Sequence, residues 1–350
     1  MSTALTIALD AMGGDHAPSI VVDGASLARE RFPDLRFILF GDENQLLPLI
    51  AKHPKLLTCS EIRHTDQAVA NDMKPSMALR NSKKSSMRLA INAVHDGEAQ
   101  GIVSAGNTGA LMVMATVVLK TLPGIDRPAI AGYLPSMRGD VVMLDLGANL
   151  DCDADNLVQF AIMGDLFAKT VLGLPEPVVG LLNVGSEEQK GHESVREAAA
   201  VLRDPDFPVK FHGFIEGNDV LEGKVDVVVI DGFAGNVALK TVEGVVKFYS
   251  NVMAKAFQGS FLARLGYLLA RSTLRKARQR VDPRQYNGAM LLGLNGVVVK
   301  SHGGTDTVGF ANAIGVAADM LGYGYNDKII AEFERVNAHR ASLVKAAPPA

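Results

Sequence analysis

The sequence predicts an α/β protein built around a mostly parallel sheet, and two patterns support this. Short, continuous runs of apolar and β-branched residues, such as residues 227–230, are typical of strands buried on both faces. Each run ends in a turn rich in Gly or Asn and is followed by helical spacing, as in βα units. The composition agrees with this fold class. Glycine (34 residues) is more frequent than proline (15), as expected for many βα turns, and a hydrophobic content of 48% is sufficient for a large core.

The clearest βα unit is the stretch VDVVVIDGFAGN at residues 225–236. Asp231 and Gly232 begin its turn, and Gly232 and Gly235 allow the backbone to approach a ligand closely. Asn236 is expected to cap the following helix. The free N–H groups of the turn and the positive end of the helix dipole would then form an anion-binding site. The alternative is an ordinary βα connection without a ligand, which has the same sequence pattern.

The same pattern recurs in five other places. They are residues 7–14, 102–109, 141–149, 179–185 and 297–304. Because the carboxyl ends of parallel strands share one edge of a sheet, we expect these turns to lie side by side and to form a single crevice.

The remaining periodicity predicts the elements between these turns. Strands are expected over 35–41, 56–63 and 209–215, and a hairpin-like pair over 129–134 and 141–146. Helices are expected over 18–32, 43–52, 85–94, 156–171 and 327–346, with one more that follows residue 304 and ends near residue 320. The segment 64–84 lacks clear periodicity and is expected to be a polar connector before its helix.

Two turns hold the first group of candidate phosphate-binding residues. The first loop carries Asp10, Gly13, Gly14, Asp15 and His16, and the SAGNTGA turn carries Ser104, Gly106, Asn107, Thr108 and Gly109. Asn107 or Thr108 can cap the apolar helix that follows, which makes this turn a second phosphate cradle. His16 is either a substrate contact or a surface loop histidine.

A second group of candidates follows later strands. Lys190 is the lone cation on the loop NVGSEEQKG, which begins at Asn183 and contains Gly185. It is either a solvated loop lysine or a ligand for an anion. His302 follows the last strand and is a candidate for steering phosphate.

The motifs do not indicate a metal or a nucleotide cofactor. No GxxxxGK[ST] occurs, and no GxGxxG follows a strand. Asp151, Asp153 and Asp155 alternate as in a calcium loop, but Asn156 and Ile162 stand where that loop needs Gly and Glu. We interpret these acids as first-turn residues of a helix, and we expect the protein to need neither metal nor cofactor.

Cysteine usage and charge indicate the compartment and exclude one class of partner. Cys59 and Cys152 form no CxxC motif, which fits a reducing cytoplasm, and the first five residues lack the basic and apolar regions of a signal peptide. A basic patch over 74–84 has no interleaved aromatic residues, and the formal net charge is −3. We therefore expect a solvated face or a contact with an acidic partner, and no nucleic-acid partner.

Residues 244–281 differ from the rest of the chain. They contain eight Lys and Arg residues and no Asp or Glu. Five apolar residues recur at the spacing of one helical stripe: Phe261, Leu262, Leu265, Leu268 and Leu269. This basic amphipathic segment is expected to contact a dimer partner, an anionic membrane surface, or both.

Seven motifs in this order resemble the bacterial phosphate acyltransferase family (PlsX). They are DAMGGDHAP, SAGNTGA, GIDRPA, LDLGAN, NVGSEEQKG, DGFAGN and SHGG, and they run from the first strand to the helix after His302. The resemblance implies a three-layer α/β/α fold similar to those of phosphotransacetylases and isopropylmalate dehydrogenases, and a homodimer. It implies conversion of acyl-[acyl carrier protein] and inorganic phosphate to acyl phosphate, with Lys190 and Asn236 as catalytic residues.

The resemblance also implies the partners and the location. These are acyl carrier protein as acyl donor, inorganic phosphate, and a membrane-bound glycerol-3-phosphate acyltransferase that takes up the product. The protein would be cytoplasmic and peripherally associated with the inner face of the cell membrane. We expect one catalytic domain over residues 1–322, which includes the helical extension 244–281, and a C-terminal helix and tail over 323–350.

Three other functions are compatible with parts of the pattern. A phosphotransacetylase acting on short acyl-CoA would share the reaction and differ in acyl-donor length. A noncatalytic membrane-surface scaffold would account for the basic helix but not for the strand-end turns. A metal-dependent β-decarboxylating dehydrogenase would share the fold, but the sequence offers no cluster of metal-binding carboxylates and no adenine site.

Overall fold

A computed structural model of the chain describes residues 5–346, with side chains described as far as residue 336. Within this range eleven strands form one sheet with helices on both faces, which confirms the predicted α/β class. The strands are β1 (Thr6–Asp10), β2 (Arg36–Gly41), β3 (Ser60–His64), β4 (Gly101–Ser104), β5 (Ala129–Pro135), β6 (Asp140–Leu144), β7 (Val178–Leu182), β8 (Lys210–Ile215), β9 (Val227–Val229), β10 (Ala289–Leu292) and β11 (Val297–Lys300). The expectations for residues 1–4 and for the tail beyond residue 346 lie outside the described residues.

Thirteen helices connect these strands in the described range. They are α1 (Ser19–Arg31), α2 (Glu43–Ile50), α3 (Pro54–Leu57), α4 (Pro75–Asn81), α5 (Ser86–His95), α6 (Thr108–Leu119), α7 (Ala154–Thr170), α8 (Glu193–Leu202), α9 (Gly217–Glu222), α10 (Gly232–Gln258), α11 (Phe261–Arg280), α12 (Thr307–Gly322) and α13 (Tyr325–Ala346).

The strand order is β3-β2-β1-β4-β11-β10-β5-β6-β9-β7-β8, and the middle of the sheet is antiparallel. The pairs β11–β10, β10–β5 and β5–β6 reverse the chain direction, so β6, β9, β7 and β8 run opposite to the strands from β3 to β11. The expectation of a single row of strand-end turns is therefore wrong. The turns form two clusters, one after β1, β4 and β11 and the other after β6, β7 and β9.

Two apolar layers cover the sheet. One face packs against α1, α7, α12 and α13, with Phe160, Phe167, Phe310 and Tyr325 fully buried among them. The other face packs against α5, α6 and the first turns of α10, where Leu111 and Met114 are buried. This arrangement is the three-layer α/β/α architecture, and it places the N-termini of α6 and α10 on the same face.

Several local predictions need correction. Asn236 does not cap α10: Asp231 does, because its carboxylate accepts a hydrogen bond from the Ala234 N–H at 2.9 Å, and Asn236 lies in the second turn. The predicted strand 56–63 is divided between α3, which Pro54 begins, and β3. Another proline, Pro75, begins α4 inside the segment expected to be a connector.

The helices α10 and α11 form a long hairpin. Ser260 caps α11 by accepting from the Ala263 N–H, and the rings of Phe257 and Tyr267 lie 5.5 Å apart across the two helices. The whole of α11 lies within the described residues, and none of its side chains is buried. The predicted start of the extension, residue 244, falls inside the continuous helix α10.

The close fit between α10 and the turn after β6 leads to a stability prediction. A Cβ at Gly235 would overlap the Asp145 carbonyl oxygen, whereas a Cβ at Gly244 would meet no atom within 4 Å. We expect Gly235→Ala to lower the free energy of unfolding by at least about 2 kcal/mol through overpacking. Gly244→Ala, the matched control in the same helix, should raise it by about 1 kcal/mol because Ala has the higher helix propensity. Urea unfolding of both variants measures this, and equal effects would contradict the packing.

Candidate active site

The first cluster is organised by the buried carboxylate of Asp10 at the end of β1. Its two oxygens accept hydrogen bonds from the Ser86 hydroxyl at 2.5 Å and from the Ser104 hydroxyl at 2.7 Å. The Gly106 N–H donates to the Ser104 oxygen at 3.1 Å, so the carboxylate also fixes the turn after β4. Burial raises the pKa of Asp10, and the two hydroxyl donors act against that rise.

Glycines allow the first and last turns of this cluster to approach the turn after β4. Gly14 has a φ of +105°, and a Cβ there would lie 2.9 Å from the Ala105 methyl group. A Cβ at Gly13 would overlap the Asp10 carboxylate. The Asp15 N–H donates to the Gly303 carbonyl at 2.9 Å, which joins the turn after β1 to the turn after β11.

Lys300 is a buried cation in this cluster that our sequence analysis did not identify. It ends β11, is 9% exposed, and donates from Nζ to the carbonyl oxygens of Ala105 and Ser301. Burial lowers the pKa of Lys300 to about 8, while the charges of Asp10 and Asp15 oppose this shift. The signal in the sequence was a lysine that ends the apolar run VVVK, where a hydrophobic residue is expected.

Asn107, a candidate residue of the first cluster, shapes the N-terminus of α6. Asn107 caps α6 through its Oδ1, and its Nδ2 donates to the Asn71 and Met73 carbonyls at 2.9 Å each. Its amide is therefore occupied, and the backbone N–H groups of the first turn, which includes Thr108 and Gly109, are what this helix end offers to an anion.

His16 and His302 are exposed. The backbone N–H of Gly304 donates to Nδ1 of His302 at 3.2 Å. Asp15 is also exposed and accepts from the Asn71 amide at 2.8 Å. These side chains therefore lie on the solvent side of the three turns.

The second cluster is organised by another buried carboxylate, Asp145, directly after β6. It accepts from the N–H groups of Ile130 at 2.9 Å, Gly147 at 3.1 Å and Ala148 at 3.0 Å. Asn149 adds its backbone N–H at 2.6 Å and its side-chain amide at 2.9 Å. Burial raises the pKa of Asp145, and the backbone donors act against the rise. Sequence analysis also missed this residue.

The N-terminus of α10 rests on the Asp145 turn. The Gly232 N–H donates to the Asn149 carbonyl at 2.7 Å. Asn236 is exposed, and within residues 5–336 its side chain makes no hydrogen bond. Its Nδ2 lies against Gly147, where a Cβ would come within 3.2 Å and the φ is +132°. The Asn236 amide therefore lies beside the Asp145 turn and is available to a ligand.

Lys190 lies on the loop after β7, which pairs with β9 in parallel. Asn183 braces this loop by donating to the Lys190 carbonyl at 3.0 Å and accepting from the Val184 N–H at 2.9 Å. The Lys190 ammonium group pairs with Glu187 at 2.7 Å, with both side chains about half exposed, and it lowers the pKa of Glu187. Lys190 therefore follows β7, and Asn236 lies in the second turn of the helix that follows the neighbouring strand β9.

An open groove of about 460 Å³ lies beside Asn236. It is lined by Leu150, Phe233, Asn236, Val237, Lys240 and Thr241. Lys240 also connects the two clusters, because its charge contributes to the lowered pKa of Lys300.

This arrangement supports charge stabilisation more readily than nucleophilic attack by a side chain. Burial raises the pKa of the Cys152 thiol to about 12, which keeps it protonated, and the hydroxyls of Ser86 and Ser104 are committed to Asp10. In the described part of the chain, no group of three or more His, Cys, Asp or Glu residues is placed to hold a metal ion.

Comparison with known proteins finds a matching family and similar proteins. Residues 5–328 match the family described as "Fatty acid synthesis protein". The chain is 62% identical to the phosphate acyltransferase of Rhodospirillum centenum, over 97% of this chain and 95% of the relative. It is 56% identical to the phosphate acyltransferase of Paramagnetospirillum magneticum, over 98% of this chain and 97% of the relative.

Solved structures share the fold at low identity. A phosphotransacetylase from Streptococcus pyogenes has a TM-score of 0.61 at 18% identity, with 91% of this chain and 94% of that chain covered. The EutD phosphotransacetylase from Staphylococcus aureus has a TM-score of 0.58 at 17% identity, with 90% and 94% covered. These similarities confirm the predicted phosphotransacetylase-like fold.

The burial of Lys300 predicts how stability depends on pH. Below about pH 8 the lysine is charged in both the folded and unfolded states, so its burial opposes folding by about 3 kcal/mol. Between about pH 8 and 10.5 the unfolded state binds more protons, and the contribution of Lys300 to stability rises with pH. Lys300→Met removes this rise and also removes two hydrogen bonds to carbonyl groups.

Unfolding by urea at pH 7 and pH 9.5 tests the prediction. The wild type should gain more stability over this interval than Lys300→Met does. Lys52→Met, which changes an exposed lysine, is the control and should behave like the wild type. The same pH-dependent gain in Lys300→Met and in the wild type would show that Lys300 is not the titrating group.

Proposed function

The chain belongs to the fatty acid synthesis protein family, and we propose on this premise that it is a phosphate acyltransferase. It would make long-chain acyl phosphate from acyl-[acyl carrier protein] and inorganic phosphate, as a step of phospholipid synthesis. The observation that carries the proposal is the side-chain amide of Asn236, which makes no hydrogen bond within the described residues and borders an open groove, while Lys190 follows the strand next to the one that precedes α10. Relatives at 53–62% identity over nearly the whole chain are named phosphate acyltransferase, which supports it.

In the proposed reaction, phosphate is itself the nucleophile. A phosphate oxygen attacks the thioester carbonyl carbon, the tetrahedral intermediate collapses, and the carrier thiolate leaves. Asn236 donates from its amide to the oxyanion, and Lys190 offsets the negative charge of the phosphate or the oxyanion. The leaving thiol has a pKa of about 8.5, so it departs as a thiolate with little need for a general acid.

The first cluster is proposed to bind phosphate. Its turns contribute Asp10, Gly13, Gly14, Asp15, His16, Ser104, Gly106, Asn107, Thr108, Gly109 and His302, and the second cluster contributes Asn183, Gly185, Asp231 and Gly232. Asp10 and Asp231 would act through the turns that they fix, since Asp10 is buried and Asp231 caps α10. The N-terminus of α6 and the Lys300 ammonium group would supply positive charge.

The α10–α11 hairpin is proposed to contact a partner subunit and a membrane. We propose a homodimer in which paired hairpins present Phe261, Leu262, Leu265, Leu268 and Leu269 at a joint tip. These five side chains are exposed and form one stripe, while Arg264, Arg271 and Arg275 flank it. No helix among the described residues has the length and hydropathy required to cross a bilayer. Peripheral contact with the inner face of the cell membrane would deliver the product to a membrane-bound glycerol-3-phosphate acyltransferase.

The proposed organisation is one catalytic domain over residues 1–322, extended by the 244–281 segment, with residues 323–350 as a C-terminal helix and tail. Tyr325 in α13 is fully buried and donates from its hydroxyl to the Met163 carbonyl at 3.1 Å. The start of the C-terminal segment therefore packs on the catalytic unit.

The alternative function is a phosphotransacetylase that acts on short acyl-CoA. The acyl donor distinguishes this alternative from the proposed function. The protein is incubated with phosphate and one of three donors: palmitoyl-[acyl carrier protein], palmitoyl-CoA or acetyl-CoA. Our proposal predicts acyl phosphate with the carrier-protein donor at the highest kcat/KM. Preference for acetyl-CoA would favour the alternative, and no acyl phosphate from any donor would contradict both. Asn236→Ala serves as the negative control.

Lys190→Ala and Asn236→Ala are each expected to lose turnover while the protein stays folded. Removal of one oxyanion donor lowers kcat by about 10²- to 10³-fold, and both side chains are exposed, so the core is not affected. Lys210→Ala and Asn251→Ala, which change exposed residues of the same types, are the controls. A kcat for either site variant within twofold of that of the wild type would remove that residue from the mechanism.

Binding to anionic vesicles is expected to depend on the α11 stripe. Leu265→Glu and Leu268→Glu should weaken binding at low salt and leave the dimer and its turnover intact, because each cation contributes only about 1 kcal/mol without apolar insertion. Ala277→Glu adds the same charge on an exposed face of α11 outside the stripe and is the control. Inactive monomers in the two Leu variants, or no binding by the wild type, would contradict the membrane role.

A further inference from the structure

Lys240 is a groove residue to which the proposed mechanism gives no role. Among the described residues that line the groove beside Asn236, it is the one with a charged side chain. It follows Asn236 by four residues on α10, and side chains at this spacing are neighbours on one face of a helix. The ammonium group of Lys240 and the amide of Asn236 therefore border the same space.

Helix stability does not account for Lys240. Its ammonium group lies 2.7 Å from the Glu243 carboxylate, but both side chains are about half exposed, and such pairs contribute little to stability. Lysine also precedes glutamate here, which is the less favourable order relative to the helix dipole. The pair instead keeps a cation at the wall of the groove.

Lys240 also lies close to the first cluster. Burial is the main reason for the low pKa of Lys300, and the positive charge of Lys240 lowers that pKa further. Because the interaction between two charges weakens with distance, the two ammonium groups are near each other. Lys300 ends β11 in the first cluster, whereas Lys240 belongs to the helix that begins in the second. An anion between the two lysines would offset the repulsion between them.

The proposed reaction needs a cation at this place. The turns of the first cluster must hold phosphate while one of its oxygens approaches the thioester carbonyl at Asn236 to within about 3–3.5 Å. Lys190 is paired with Glu187 on the loop after β7, and it is not one of the described residues that line the groove. Lys300 is buried against the Ala105 carbonyl in the first cluster. Lys240 is the lysine that borders the groove and also acts on Lys300.

We propose that Lys240 binds the reacting phosphate together with Lys300 and directs it at the thioester carbonyl beside Asn236. This inference rests on the proposed function, which supplies the phosphate and the thioester. When phosphate binds, the Lys240 ammonium group exchanges the Glu243 carboxylate for a phosphate oxygen. Lys240 transfers no proton. A phosphate oxygen forms the bond to the carbonyl carbon, and the carbon–sulfur bond breaks to release the carrier thiolate, as in the proposed reaction.

Titration calorimetry with inorganic phosphate tests the proposal without turnover. We expect Lys240→Met to raise the Kd for phosphate by about tenfold or more, since a charge-assisted hydrogen bond is lost. Lys247→Met, which changes an exposed lysine of the same helix, is the control and should keep the wild-type Kd. Glu243→Gln should bind phosphate at least as tightly as the wild type, because it removes a competing carboxylate.

Three calorimetric results would overturn the proposal. They are the absence of phosphate binding by the wild type, an unchanged Kd in Lys240→Met, and equal weakening in Lys240→Met and Glu243→Gln. The last of these would show that Lys240 acts only through its pair with Glu243.

Steady-state kinetics with palmitoyl-[acyl carrier protein] distinguish inorganic phosphate from the phosphate group on the prosthetic arm of the donor. Lys240→Met should raise the KM for phosphate by about tenfold or more with little change in kcat, because phosphate is charged before the attack as well as during it. Lys240→Arg should retain most of the affinity, since a guanidinium group also binds phosphate. A raised KM for the donor with an unchanged KM for phosphate would assign Lys240 to the donor and overturn the proposal. If no donor yields acyl phosphate, the proposed function fails, and the calorimetric result still decides whether Lys240 binds phosphate.

Discussion

The structure depends on two buried carboxylates, each at the end of a strand in one half of the sheet. An ionised carboxylate is tolerated in an apolar interior only when hydrogen-bond donors satisfy it. Asp10 obtains these donors from Ser86 and Ser104, and Asp145 obtains five N–H donors from Ile130 and from the turn that follows it. Each carboxylate therefore dictates the path of the turns around it, and a glycine is needed wherever two of these turns touch.

This constraint has a functional consequence, because the turns are fixed before any ligand binds. Donors that need no rearrangement stabilise developing charge more effectively than mobile ones. Asn236 is exposed but is held by a helix whose N-terminus rests on the Asp145 turn, while Lys300 is buried and directed at the turn after β4. A reaction in which phosphate attacks a thioester requires this kind of charge placement and no side-chain nucleophile.

Much of this organisation could be predicted from the sequence, and the remainder has a physical explanation. Local signals were sufficient for most of the strands, for the Asn107 cap and for the placement of Lys190 on a strand-end loop, because these follow from periodicity and capping chemistry. Asn236 was expected at the cap of α10 but lies in its second turn, since Asp231 takes the cap position. The four-residue strand β10 was missed because a short apolar run does not distinguish strand from helix. The reversal that separates the turns into two clusters comes from the β5–β6 pair, since the two antiparallel pairings of β10 leave β5 running in the same direction as β11. How this hairpin joins the rest of the sheet is a tertiary property without a local signature. The roles of Asp145 and Lys300 arise from burial, which also depends on distant residues.

The central claim is that phosphate attacks the thioester directly, without an acylated enzyme intermediate. Intact-mass spectrometry of the protein, incubated with palmitoyl-[acyl carrier protein] in the absence of phosphate, tests this claim most directly. The account predicts an unchanged protein mass and no release of free carrier thiol, with acyl phosphate and thiol formed in equal amounts once phosphate is added. A protein mass increased by one palmitoyl group, with one equivalent of thiol released before phosphate is present, would contradict it.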